Sequence, residues 1–183
     1  METLEILPFG EPTLRKTAKP VNRVNASVRR TLDNMLATMR AASGAGLAAP
    51  QVGILKRMVV VDVGDGAGPY FLVNPEIVYR PEETETKWEG CLSWPGYVGE
   101  VERPVKVTVK ALDRDGHETW VEGEGFLARA LCHEIDHLDG ILYIDRAETI
   151  TETPKPEEEE GEEKDVPQRA VFMGSPDFAV PTL

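Results

Sequence analysis

Between residues 25 and 43 the apolar positions Val28, Leu32, Met35, Leu36 and Met39 recur at three- and four-residue intervals, which lays them along one face of an α-helix. Asn25 or Ser27 can cap its first turn, and Gly44 stands past its end, where a left-handed residue stops a helix. From residue 57 to 123 the period changes to that of strands. Met58–Val61 is a short unbroken apolar run, residues 70–73 and 77–79 are rich in β-formers, and Val105, Val107 and Val109 alternate with Lys106, Thr108 and Lys110. Asp113-Arg114-Asp115-Gly116 has the composition of a hairpin turn leading into a further strand at 117–121. The stretch Gly125–Leu138 then carries Phe126, Leu127, Ala130, Leu131, Ile135 and Leu138, whose directions cover most of a helix's circumference and predict burial on nearly all sides. Strands before and around one buried helix, without regular βαβ alternation, predict an α+β fold of antiparallel sheets packed around that helix.

Composition narrows the function classes. The 183 residues, 41% hydrophobic and 28% charged, suit one sizeable core. No run reaches the ~18 apolar residues of a membrane span, and Met1-Glu2-Thr3-Leu4-Glu5 lacks the basic, apolar start of a secretory signal, so a cytoplasmic protein without a membrane partner is the expectation. A net charge of -12 argues against binding nucleic acid, which needs clustered Lys and Arg to displace counterions. Half of that excess falls in residues 151–183, where nine acids face three bases. The stretch 151–168, mostly Thr, Pro, Glu and Lys, has too little apolar surface to fold and reads as a solvated linker after a body spanning 1–150. The two cysteines, Cys91 and Cys132, are too few for a disulfide scaffold and read as free thiols or metal ligands.

Three segments carry candidate chemistry. His133-Glu134-Ile135-Asp136-His137 sits on the buried helix, where residues four apart share a face, so both imidazoles can point at one ion with Glu134 beside it to move a proton. Two histidines leave a metal short of ligands, and beyond His137 the sequence has no further histidine. Upstream, Cys91 in Glu89-Gly90-Cys91-Leu92-Ser93 can supply a thiolate and leave one position for water. Cys132 precedes His133 and points about 100° away around the helix, as a small buried apolar residue does. The third segment, Gly44-Ala45-Gly46-Leu47-Ala48-Ala49-Pro50-Gln51, lacks the Lys-Ser/Thr of a phosphate loop; its small residues admit a substrate backbone, and the Gln51 amide can donate to a developing oxyanion. A zinc peptidase and a structural metal domain with Cys132 as fourth ligand stand as alternatives to a hydrolase with an open metal site.

These segments resemble the signature motifs of peptide deformylases: Gly44-x-Gly46-x-Ala48-Ala49-x-Gln51, Glu89-Gly90-Cys91-Leu92-Ser93 and His133-Glu134-x-Asp136-His137, complete and in the family's order. Leu14-Arg15 and Ala18-Lys19-Pro20-Val21 are similar to the family's N-terminal segment, so the resemblance covers about residues 4–146. It implies an enzyme that removes the N-formyl group from the formylmethionine of newly made polypeptides and releases formate. It implies Cys91, His133 and His137 as ligands of one divalent ion, with iron(II) expected and Zn(II), Ni(II) or Co(II) compatible with the same donors. A water on that ion is the implied nucleophile, Glu134 the proton carrier, and the Gln51 amide and Leu92 backbone N–H the oxyanion donors, with Gly46 beside them. The methionine side chain is expected near Ala45, Phe126, Arg129 and Ala130, and Asp136 to pair with Arg103.

Formylmethionyl nascent chains are the implied partners, with transient ribosome contact. Many family members dock there through a basic C-terminal helix, whereas this chain runs from Asp145 into an acidic, Pro-containing stretch, which puts docking by that route in doubt. Residues 169–183, with Phe172-Met173-Gly174 and Pro176-Asp177-Phe178-Ala179, resemble the N-terminal strand and turn of methionyl-tRNA formyltransferase. A fragment of a fused domain is therefore expected there, its apolar part packed on a surface or sheet edge, residues 157–163 solvent-exposed, and catalysis independent of it.

Overall fold

The architecture comes from a computed structural model, which describes residues 1–153 and the backbone of Val171–Met173. Helix α1, Ala26–Ala41, begins where Asn25 Oδ1 accepts the Val28 N–H at 3.0 Å and buries Val28, Leu32, Met35, Leu36 and Met39. The left-handed residue that ends it is Ser43, φ 55°, rather than Gly44. Gly44 instead packs closely on Leu92, where a Cβ would lie 2.7 Å from Leu92 Cδ1 and displace the end of that side chain.

Strands β1 (Gly46–Ala48), β2 (Met58–Val61), β3 (Tyr70–Tyr79), β6 (Lys106–Leu112) and β7 (Glu118–Glu124) form an antiparallel sheet in the order β1-β2-β3-β6-β7. The two β-rich runs at 70–73 and 77–79 are one strand, broken in register between Val73 and Glu76 where Asn74 has φ 51°. Helix α2, Gly125–Leu138, packs on one face of this sheet and α1 on the other. The unbroken apolar run of β2 follows from that position: Val59 and Val61 meet α2, while Met58 and Val60 meet α1. Likewise Val107, Val109 and Ala111 of β6 are buried toward α2.

A second sheet closes over the far side of α2. It contains β4 (Thr84–Cys91), β5 (Trp94–Pro104), β8 (Thr149–Glu152) and β9 (Val171–Met173) in the order β8-β5-β4-β9. The long β4–β5 hairpin is antiparallel, and its two-residue turn, Leu92 and Ser93, follows Cys91. Of the 14 residues of α2, 11 are buried, as its all-round apolar pattern requires. The boundary expected at residue 151 falls inside β8, because Thr151 and Glu152 pair with Val98 and Tyr97. The expectation for residues 157–163 lies outside the described residues.

Candidate metal centre

One turn of α2 brings His133 and His137 to the same face, and the end of β4 brings Cys91 against them. Their ligand atoms all lie within 4.8 Å of one another, with Cys91 Sγ 3.4 Å from His137 Nε2, and all three residues are buried. Cys132 is buried in the apolar cluster of α2, outside this group, where burial pushes its thiol up to about 11. Both cysteines are unpaired thiols.

A carboxylate that sequence reasoning left without a role organises this centre. Glu89 is fully buried. Its Oε1 accepts from His133 Nδ1 at 2.9 Å and from Arg103 Nη2 at 2.9 Å; its Oε2 accepts from Arg103 Nε at 2.9 Å and Arg129 Nη1 at 2.7 Å. Burial opposes the charge, but these donors outweigh it and hold the Glu89 carboxyl well below its ordinary range. Because Nδ1 of His133 gives its proton to Glu89, Nε2 is the nitrogen left to face Cys91 and His137. Arg103 Nη1 also donates to Asp136 Oδ2 at 2.7 Å, as expected, and Arg146 grips the same Asp136 carboxylate through two nitrogens.

Arg129 requires a correction. Expected beside the methionine side chain, its guanidinium instead donates to Glu89, to the Val101 carbonyl at 2.8 Å and to the Glu85 carbonyl at 2.9 Å, with the residue 1% exposed. It holds the support of His133 in place. Position on α2 explains the difference: Phe126, Ala130, His133 and His137 fall on one stripe of the helix, and Arg129 falls beside it, toward β4 and β5. Ala45 and Ala130 are buried, and Phe126 is partly buried against the α2 core.

Glu134 lies under β1. A Cβ on Gly46 would come within 2.6 Å of Glu134 Oε1, so only glycine lets β1 run this close to the carboxyl group. Burial pushes Glu134 up to about 7, with His133 pulling down and Glu89 adding to the rise. Its Oε2 and His137 Nδ1 are buried with no hydrogen-bond partner among the described residues. Burial works against a charged His133, yet Cys91 and Glu89 beside it outweigh burial and push it up to about 10. His137 is driven well down, by burial first and then by the charges of His133 and Arg103. The buried thiol, two imidazoles and unpartnered polar atoms fit a divalent cation.

Gln51 is buried and its orientation is fixed: Oε1 accepts the Ala48 N–H at 3.0 Å, which turns Nε2 to Ser93 Oγ at 3.2 Å and Cys91 Sγ at 3.5 Å. The structure thus brings Gln51, Gly46 and Glu134 to the Cys91 cluster. Leu92 follows Cys91 in the hairpin turn. Tyr143 packs over His133 with ring centroids 6.0 Å apart and closes that side, a contact with no sequence signal.

A family profile described as polypeptide deformylase matches residues 3–153. A peptide deformylase of Symbiobacterium thermophilum is 52% identical over 178 residues, 97% of this chain and 80% of that relative. One of Natranaerobius thermophilus is 56% identical over 150 residues, 82% of this chain and 96% of that relative. Among solved structures, the peptide deformylase of Thermotoga maritima superposes with a TM-score of 0.78 at 44% identity, covering 81% of this chain and all of that one. That of Ehrlichia chaffeensis in complex with actinonin also gives 0.78, at 39% identity over 80% of this chain and 89% of that one.

Proposed function

Because the chain belongs to the polypeptide deformylase family, we propose that Cys91, His133 and His137 hold its metal ion and that the groups around them carry out its reaction. The reaction is metal-dependent removal of the N-formyl group from newly made polypeptides, with release of formate. The observation that carries the assignment is the convergence of one sulfur and two imidazoles, buried and within 4.8 Å of each other, beside an unpartnered carboxyl oxygen of Glu134.

When bound, the ion acts as a Lewis acid that acidifies water and polarises the formyl carbonyl. Glu134, with its pKa raised to about 7, is matched to taking a proton from the attacking water and returning it to the departing amine nitrogen. Gln51 Nε2, its orientation fixed through Ala48, donates to the oxygen that gains charge as the formyl carbon becomes tetrahedral. The Leu92 N–H serves as the second donor, and Gly46 leaves the space in which the formyl group meets Glu134. Glu89 fixes the ring of His133, with Arg103 and Arg129 as its counter-charges. The methionine side chain packs near Ala45, Phe126 and Ala130, on the apolar continuation of the histidine stripe.

We read the ion as iron(II) and the substrates as formylmethionyl nascent chains met in the cytoplasm, in transient contact with the ribosome. Among the described residues no helix is long and apolar enough to cross a membrane. The catalytic body is residues 1–153. The likeness of residues 169–183 to a formyltransferase N-terminus is kept as a proposal about their origin; the 97% coverage by the Symbiobacterium relative supports a segment that accompanies the deformylase body. The test of the function is formate release from a formyl-Met peptide by anaerobically purified protein, measured against metal content. Turnover should rise in proportion to metal, up to one ion per chain. Equal turnover after metal removal would refute the assignment.

A further inference from the structure

The edge of β4 that carries Cys91 is not bare. On the side away from β5, Val171–Met173 adds to it as a parallel strand, with Val171 opposite Glu89, Phe172 opposite Gly90 and Met173 opposite Cys91. These three β4 residues lead directly into the metal centre, and β1, whose Gly46 faces Glu134, is the edge strand of the other sheet. An extended peptide that brings its end to Cys91 needs backbone partners there, and an open strand edge is the usual source of them. We propose that the Glu89–Cys91 edge is a strand-docking seat occupied by this chain's own segment Val171–Met173, in competition with the formyl peptide. The proposal rests on the reading of Cys91, His133 and His137 as the catalytic centre.

Strand direction makes the occupant non-productive. The reacting formyl group sits on a substrate's N-terminus, so a substrate lying along this edge with that end at Cys91 must run antiparallel to β4. Val171–Met173 runs parallel, brings its C-terminal end to Cys91 and continues into Gly174, so it presents no N-terminal formyl amide for hydrolysis. Three residues of parallel pairing are weak by themselves. The segment is joined to β8 through residues 154–170, and a tether of that length makes the competition intramolecular, equivalent to a ~mM concentration of free peptide.

The test keeps the full chain and replaces Val171 and Phe172 together by proline, which removes two successive N–H groups and so breaks the ladder whichever of them donates. The expected result is a KM for a short formyl-Met peptide lowered about three- to tenfold at unchanged kcat, as when a seat free for only about a tenth to a third of the time becomes fully open. Backbone amide exchange at residues 89–91 should quicken in the same variant. A synthetic peptide of residues 166–183, added to that variant, should raise KM again without lowering kcat. Exchange needs no turnover, so an unchanged exchange rate refutes the seating by itself. Faster exchange with an unchanged KM refutes the competition. Failure of the catalytic-centre reading would show elsewhere, as metal and turnover both surviving Cys91→Ala.

Discussion

The region between α1 and the first sheet and the region between α2 and the second sheet are held by opposite physics. On the α1 side, Leu32, Met35, Met39, Leu47, Met58, Val60 and Val73 form a cluster of apolar side chains with almost no solvent exposure. On the β4 side of α2, the buried groups are Glu89, Arg103, Arg129, His133, Glu134 and His137. The first region is stable through area removed from water and needs no particular partner for any one side chain. In the second, Glu89, Arg103, Arg129 and His133 keep charge away from water by meeting one another, and a single missing member leaves the rest unpaired, while Glu134 and His137 keep polar atoms without a partner among the described residues. A structural core can be repacked, whereas this polar one has a geometry fixed by its donors and acceptors, which is what a metal ligand such as His133 requires.

The largest effect should come from the polar side. Glu134→Gln keeps the shape and the metal but cannot carry the proton, and kcat/KM should fall about 10²- to 10⁴-fold with unchanged metal content. Near-normal turnover at full metal loading would move the proton role to another group.

Stability separates the regions next. Glu89→Ala leaves Arg129 buried without its counter-charge and Arg103 with Asp136 alone, and should cost about 3 to 5 kcal/mol in urea unfolding, together with weaker metal binding. Leu32→Ala, at a residue with no exposure, should cost about 2 to 5 kcal/mol and leave metal affinity as it was. If both variants changed affinity alike, the two regions would be one cooperative unit and the contrast would fail.

The sequence made the apolar region legible and the polar one only in part. Periodicity placed α1, β6 and α2 because burying a face imposes a spacing, and an unbroken apolar run placed β2, which is buried on both faces. It also placed the His133 and His137 pair, since both lie on one helix. Glu89 carries no such mark: its partners lie 14, 40 and 44 residues away, and only the closing of β4 and β5 over α2 makes it the acceptor for all three. Arg129 was misplaced for the same reason, because its position on the stripe's margin decides its neighbours. The strand at Thr149–Glu152 escaped notice since its composition is polar and its burial slight; it exists because β5 offers an edge.

The pH dependence of stability sharpens the comparison further. Glu89 is held below its ordinary value, so its contribution is complete above about pH 4.5 and is lost as pH falls from there toward its folded value. Glu134 is the reverse. With its carboxyl raised from 4.5 to about 7, the folded state holds a proton that the unfolded chain releases, and stability falls as pH rises between those values. In metal-stripped protein, Glu134→Gln should therefore be more stable than the parent above pH 7 by about 3 kcal/mol and equal to it near pH 4, as thermal unfolding across pH would show. A constant difference across that range would contradict the assigned shift. The smallest effect belongs to the apolar side: Asn25→Ala removes the cap on α1 and should cost about 1 kcal/mol without changing activity.

The most direct test of the metal centre is X-ray absorption at the metal edge of anaerobically loaded protein. The parent should show one sulfur and two imidazole nitrogens around the ion, and Cys91→Ser should lose the sulfur while retaining both imidazoles. A first shell without sulfur in the parent, or sulfur persisting in Cys91→Ser, would contradict the account.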